Sequence, residues 1–142
     1  MTIMTMEAFS GNYSDIKQFE VELNSFSGEG LKVKFDLAHR LISWNDGYMW
    51  NNNFMKAIND EKLEMLNERL PETHMLEWMY SYKTGCADEV GAETANPGIW
   101  RIEVVFEDGE IFESGARKHF PNDWRLLKTL IEDITECSFR LR

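Results

Sequence analysis

The sequence predicts an α+β fold, a mainly antiparallel curved sheet of about six strands with two or three helices packed on one face. Three patterns lead to this class. Apolar and polar residues alternate through the first half, apolar residues recur at helical spacing from position 60, and a hairpin followed by an amphipathic segment completes the chain. Strands and helices are therefore segregated along the chain, which favours α+β over a barrel or a doubly wound sheet.

Size and composition indicate a single domain over residues 1–142. Hydrophobic residues make up 43% and charged residues 28% of the chain, an ordinary globular balance. No apolar stretch approaches the roughly 20 residues that span a bilayer, and the start of the chain lacks signal-peptide features. We expect a cytoplasmic protein in which residues 1–15 form a loosely held arm and residues 83–98 form a long acidic loop.

The first half predicts an antiparallel meander. Apolar residues occupy alternate positions in two segments separated by a turn: Phe19, Val21 and Leu23, then Leu31, Val33, Phe35 and Leu37. In the next segment, ISWNDGYMWNNNF, the large apolar residues fall on even positions: Ile42, Trp44, Tyr48, Trp50 and Phe54. This parity predicts strands over 40–44 and 48–54 with a turn at Asn45-Asp46-Gly47. We interpret the aromatic residues as core rather than as a base-stacking surface.

Local signals predict the helices. Asn59 is a good N-cap for a helix over 60–70 that Pro71 ends. A second helix is predicted over Pro71–Tyr82, although Trp78 and Tyr82 also fit a strand. A last helix is predicted to open at Pro121, with an apolar stripe at helical spacing: Trp124, Leu127, Ile131 and Ile134.

The clearest local unit is a hairpin over residues 99–115. Alternate apolar residues at Trp100, Ile102, Val104 and Phe106 precede Asp108-Gly109, a strong turn signal. The run W-x-I-x-V-x-F-x-D-G, S-G and P-x-x-W-x-x-L-x-x-x-I over residues 100–131 resembles the C-terminal part of a loosely defined group of small bacterial proteins. The resemblance implies the fold but no reaction and no catalytic residue.

The charge pattern directs the functional hypothesis. The net charge is −10, and residues 59–93 carry nine carboxylates against three cations. This field disfavours direct nucleic-acid binding and favours a basic protein partner. The predicted partner-binding residues are Glu61, Glu64 and Glu68 on one helix face and Asp88, Glu89 and Glu93 in the loop. We expect a non-catalytic binding protein, similar in size and charge to phage-encoded inhibitors of nucleic-acid-binding enzymes such as anti-CRISPR proteins.

Two alternatives remain open. Arg117, Lys118 and His119 stand before the last predicted helix, where free backbone N–H groups attract anions, so a small-ligand or anion-binding domain is the second hypothesis. A hydrolase-type enzyme using Cys86 and His119 is the least supported. The two cysteines and three histidines are scattered singly, and we expect no metal site and no cofactor.

Overall fold

The computed structural model describes residues 12–25, 30–47, 52–83, 92–93, 98–117 and 119–139. Within these residues the strands are β1 (Ile16–Asn24), β2 (Gly30–Asp36), β3 (Leu41–Asp46), β4 (Phe54–Ala57), β5 (Ala92–Glu93), β6 (Ile99–Phe106), β7 (Ile111–Arg117) and β8 (His119–Phe120). The helices are α1 (Asp60–Arg69), α2 (Met75–Lys83) and α3 (Trp124–Thr135), with 3₁₀ turns at Asn12–Asp15 and Pro71–Thr73.

Six strands form one antiparallel sheet in the order β4-β3-β2-β1-β6-β7, and β5 pairs with β8 separately. Consecutive strands are neighbours except where β6 pairs with β1 across the middle of the sheet. The predicted α+β class with a six-stranded antiparallel sheet is confirmed. This order leaves β4 and β7 at the two edges, and α2 packs against β7.

Apolar residues at alternate positions of the strands form one buried face of the sheet. Val21 is fully buried and lies between Val33 on β2 and Ile102 on β6. Buried residues of all three helices belong to the same core, among them Leu66, Met79 and Leu127. The helices therefore cover a single face of the sheet, and the charged residues of the strands face the other way.

The β3–β4 hairpin was predicted, but its strand limits were wrong. β3 continues through Asp46 and β4 begins only at Phe54, whereas strands over 40–44 and 48–54 were expected. Side chains of the asparagine run explain this change, because Asn53 Oδ1 accepts from the Asp46 N–H at 2.9 Å and Asn52 donates to the Asp46 carboxylate at 2.9 Å. Trp44 is buried and stacks on Phe54, as the core interpretation requires. Tyr48 and Trp50 lie outside the described residues.

Two helices begin later in the chain than the sequence predicted. Pro71–Thr73 is a 3₁₀ turn, and His74 has a left-handed backbone with φ 57°, so α2 begins at Met75. The strand alternative for Trp78 and Tyr82 is wrong. The last helix begins at Trp124 rather than Pro121, because the Trp124 N–H closes a tight turn onto the Pro121 carbonyl. The α1 prediction is confirmed, including its Asn59 cap, which accepts from the Lys62 N–H at 2.8 Å.

The β6–β7 turn combines a tight turn with a left-handed glycine. The Gly109 N–H donates to the Phe106 carbonyl, and the Phe106 N–H donates to the Glu110 carbonyl, both at 2.9 Å. Gly109 has φ +89°, and a Cβ built on it would meet no atom within 4 Å. Backbone conformation alone therefore selects glycine here.

Replacing Gly109 with valine is expected to lower the free energy of unfolding by about 1–2 kcal/mol, because a β-branched residue resists positive φ. Gly109→Asn is the matched control and should cost less than half as much, since asparagine tolerates this region. Urea unfolding of the three proteins measures the difference. Equal midpoints for wild type and the valine variant would contradict the turn geometry.

Candidate functional site

Three glutamates of α1 form an exposed row opposite the core. Glu61, Glu64 and Glu68 lie at spacings of three and four residues, and all three are exposed, whereas Leu66 on the opposite side is buried. We call these three residues the acidic row. Among the described residues no cation lies within ion-pair distance of any of them.

The basic residues of α1 are engaged elsewhere. Lys62 Nζ donates to the Ile134 carbonyl at 2.7 Å and lies 3.4 Å from the Glu136 carboxylate, so it caps the end of α3. Arg69, also of α1, forms an ion pair with Asp133 of α3 at 2.8 Å. Glu64 and Glu68 are consequently left as like charges at i and i+4, which costs a few tenths of a kcal/mol.

On the open face of the sheet, by contrast, carboxylates lie in ion pairs with a central arginine. Arg101 of β6 is ion-paired with Glu103 of the same strand, with Glu22 of β1 and with Glu113 of β7. Burial alone would lower the pKa of Arg101, but the three carboxylates outweigh that effect and raise it. The cluster still has two more carboxylates than cations, but its carboxylates share Arg101, whereas the acidic row has no cation beside it among the described residues.

A cleft of about 570 Å³ opens beside α1. Its described lining residues come from the first 3₁₀ turn, the turn after β2, and the α1–α2 region: Tyr13, Ser14, Leu37, Leu66, Asn67, Leu70, Pro71 and Glu77. Buried and half-buried leucines supply an apolar floor, and none of these residues is cationic. Clefts of this size with a few convergent polar groups are the usual form of ligand sites.

Tyr13 holds one wall of the cleft through two hydrogen bonds. Its hydroxyl donates to the Glu77 carboxylate and accepts from the Leu76 N–H at 3.0 Å. The Met75 N–H donates to Thr73 Oγ1 at 3.2 Å, so residues outside α2 satisfy the first two N–H groups of that helix. Burial and the bond to Glu77 raise the pKa of Tyr13 far above its ordinary value of 10.0, which keeps the phenol protonated.

The other predicted site residues are only partly described. Asp88, Glu89 and Lys118 lie outside the described residues, as does Cys86. The backbone of Glu93 pairs with that of His119 in the β5–β8 ladder.

Among the predicted anion-binding residues, Arg117 is exposed at the end of β7, and the Nδ1 atom of His119 is buried without a hydrogen-bond partner in the described structure. Both residues lie in strands, and α3 begins five positions after His119. The helix N-terminus on which the anion hypothesis depended thus begins three positions later in the chain than predicted.

No protein-family model matches the chain, and no curated protein matches it. Within the described residues, none of the helices combines the length and the apolarity needed to cross a bilayer. The described part of the chain also contains no cluster of three or more histidine, cysteine, aspartate or glutamate side chains able to hold a metal ion.

Arg101→Gln is expected to lower the free energy of unfolding by about 1–2 kcal/mol, because three carboxylates would then face one another without a cation. Lys32→Gln is the control, since Lys32 has one partner, Glu20, at 3.6 Å. The loss of unfolding free energy caused by Arg101→Gln should be smaller in about 1 M salt, where the repulsion between the carboxylates is screened. If Arg101→Gln were as stable as Lys32→Gln, the ion pairs of Arg101 with three carboxylates would be contradicted.

Tyr13→Phe is expected to cost about 1–3 kcal/mol, because the Leu76 N–H and Glu77 both lose a partner. The raised pKa of Tyr13 means that its stabilising contribution is fully present below pH 10.0 and is lost as the pH rises further, since the unfolded chain releases the proton first. The difference between the urea midpoints of wild type and variant should therefore narrow above pH 10.0. A difference that stays constant at alkaline pH would refute the assignment.

Proposed function

We propose that the protein is a small, acidic, non-catalytic binding protein that docks the acidic row on a basic protein surface. The observation that carries this proposal is that the three glutamates of the acidic row have no cation beside them among the described residues. Both cations of the helix are committed to α3, while Glu61, Glu64 and Glu68 are exposed and have no described ion-pair partner. A basic partner relieves a repulsion that the free protein tolerates.

The dimensions of the acidic row favour a phosphate-binding surface as its target. Glu61 and Glu68 are separated by about 10 Å along the helix axis. A DNA strand carries one phosphate for about every 3.4 Å of axis, so the row is as long as about three phosphate-to-phosphate intervals along that axis. Carboxylates on a rigid helix can occupy arginines and lysines that otherwise hold a nucleic-acid backbone.

The class of protein proposed is an inhibitor of a nucleic-acid-binding enzyme. The net charge of −10 repels nucleic acid itself and accelerates the encounter with a basic protein. The type of phage-encoded inhibitor to which anti-CRISPR proteins belong meets this description in size and charge. The likeness is one of type and gives no catalytic residue to the chain.

Converting Glu61, Glu64 and Glu68 together to glutamine is expected to weaken the partner complex by about tenfold at low salt, because three rim charges contribute roughly 0.5 kcal/mol each. The melting temperature should stay the same or rise slightly as the Glu64–Glu68 repulsion disappears. The measurement is capture from the native host lysate, followed by titration of the purified partner across ionic strengths and release of the complex by heparin.

A second triple variant controls for net charge. Glu107→Gln, Asp108→Asn and Glu110→Gln remove three exposed carboxylates from the β6–β7 turn, and the asparagine keeps an oxygen for the Glu110 N–H that Asp108 accepts at 2.9 Å. This variant should bind the partner within about twofold of wild type. Docking through the acidic row is refuted if both triple variants bind equally well at every ionic strength.

A further inference from the structure

The cleft beside α1 adjoins the acidic row. Asn67 lines the cleft and lies three residues after Glu64, so the two side chains are neighbours on the helix surface. Across the cleft, Glu77 projects from the first turn of α2. A partner seated on the acidic row therefore reaches the cleft without leaving the surface of α1.

The cleft combines an apolar floor with a carboxylate wall. In its lining Leu37 and Pro71 are half-buried, and Leu66 and Leu70 are buried. One oxygen of Glu77 accepts from Tyr13, and the other has no hydrogen-bond partner among the described residues.

Two further polar side chains of the lining are available to a ligand. The amide of Asn67 and the hydroxyl of Ser14 also lack described protein partners. An acceptor-rich rim above an apolar floor, with no cation in the described lining, complements a positively charged group on an apolar stem.

We propose that the cleft receives one arginine side chain of the basic partner, with the guanidinium on Glu77 and Asn67 and the methylene stem on Leu37 and Pro71. The guanidinium is planar and carries five donors, so it can reach a carboxylate oxygen and an amide oxygen together. This inference rests on the proposed function and gives it an anchor point, since buried arginines are frequent energetic centres of interfaces.

The test uses the full chain and N-acetyl-L-arginine amide as the probe, observed through the backbone amide shifts in ¹H–¹⁵N spectra. We expect saturable shifts at Asn67 and Glu77 with a dissociation constant on the order of 1 mM, as suits a ligand of this size. N-acetyl-L-citrulline amide has nearly the same shape without the charge, and it should bind at least fivefold more weakly.

Glu77→Gln keeps an oxygen for Tyr13 and should weaken binding of the arginine probe at least fivefold, whereas the β6–β7 turn variant should leave it unchanged. Asn67→Arg is a second variant on an exposed position, and its own guanidinium should exclude the probe. Binding that survives in both the Glu77 and Asn67 variants overturns the inference.

The outcomes separate the cleft from the acidic row. Shifts centred on Glu61, Glu64 and Glu68 that persist in Glu77→Gln overturn the cleft site but leave docking through the acidic row intact. If the citrulline probe shifts the amide signals of Asn67 and Glu77 with the same dissociation constant as the arginine probe, the requirement for a cation is overturned. If the triple variant of Glu61, Glu64 and Glu68 binds the partner as tightly as wild type while the cleft shifts are present, the proposed function is removed, and with it the assignment of the arginine to a partner.

Discussion

Packing around Trp100 is the interaction on which the rest of the fold depends. This fully buried side chain of β6 lies edge-on to Trp78 and Tyr82 of α2, at centroid distances of 5.3 and 5.1 Å. It also contacts Trp124 of α3 at 6.0 Å, and its Nε1–H donates to the His119 carbonyl at 2.8 Å. One indole thus joins the sheet, two helices and the β7–α3 connection while its single polar group stays satisfied.

The way the helices attach to this core explains the acidic surface. Lys62 and Arg69 lie on the flanks of α1 that face α3, and they bind the carbonyl and carboxylate groups at the end of that helix. Their positive charge is therefore used inside the molecule. Because the chain has 25 acidic and 15 basic residues, cations used for internal contacts leave carboxylates in excess on the outer face of α1.

The acidic row could be predicted and the cleft could not. Helix α1 follows from the Asn59 cap and the leucine spacing, and once its buried face is known the exposure of Glu64 and Glu68 follows from helix geometry alone. The cleft depends on a bond between Tyr13 and Glu77, which are 64 positions apart. Nothing near Tyr13 in the sequence indicates this bond, because its partners are set by how the chain returns to the sheet.

The sequence by itself determined the α+β class, the six-stranded antiparallel sheet, the α1 helix and the Asp108-Gly109 hairpin, since alternation, capping and turn chemistry act between residues close in the chain. The limits of β3 and β4 and the later start of α3 follow from hydrogen bonds between residues three to seven positions apart that the sequence patterns did not indicate. Tertiary structure alone decided the burial of Phe139 against Trp44 and Trp124. It also decided which charges are neutralised. These features depend on contacts between distant segments, and their energies exist only after the sheet and helices have come together.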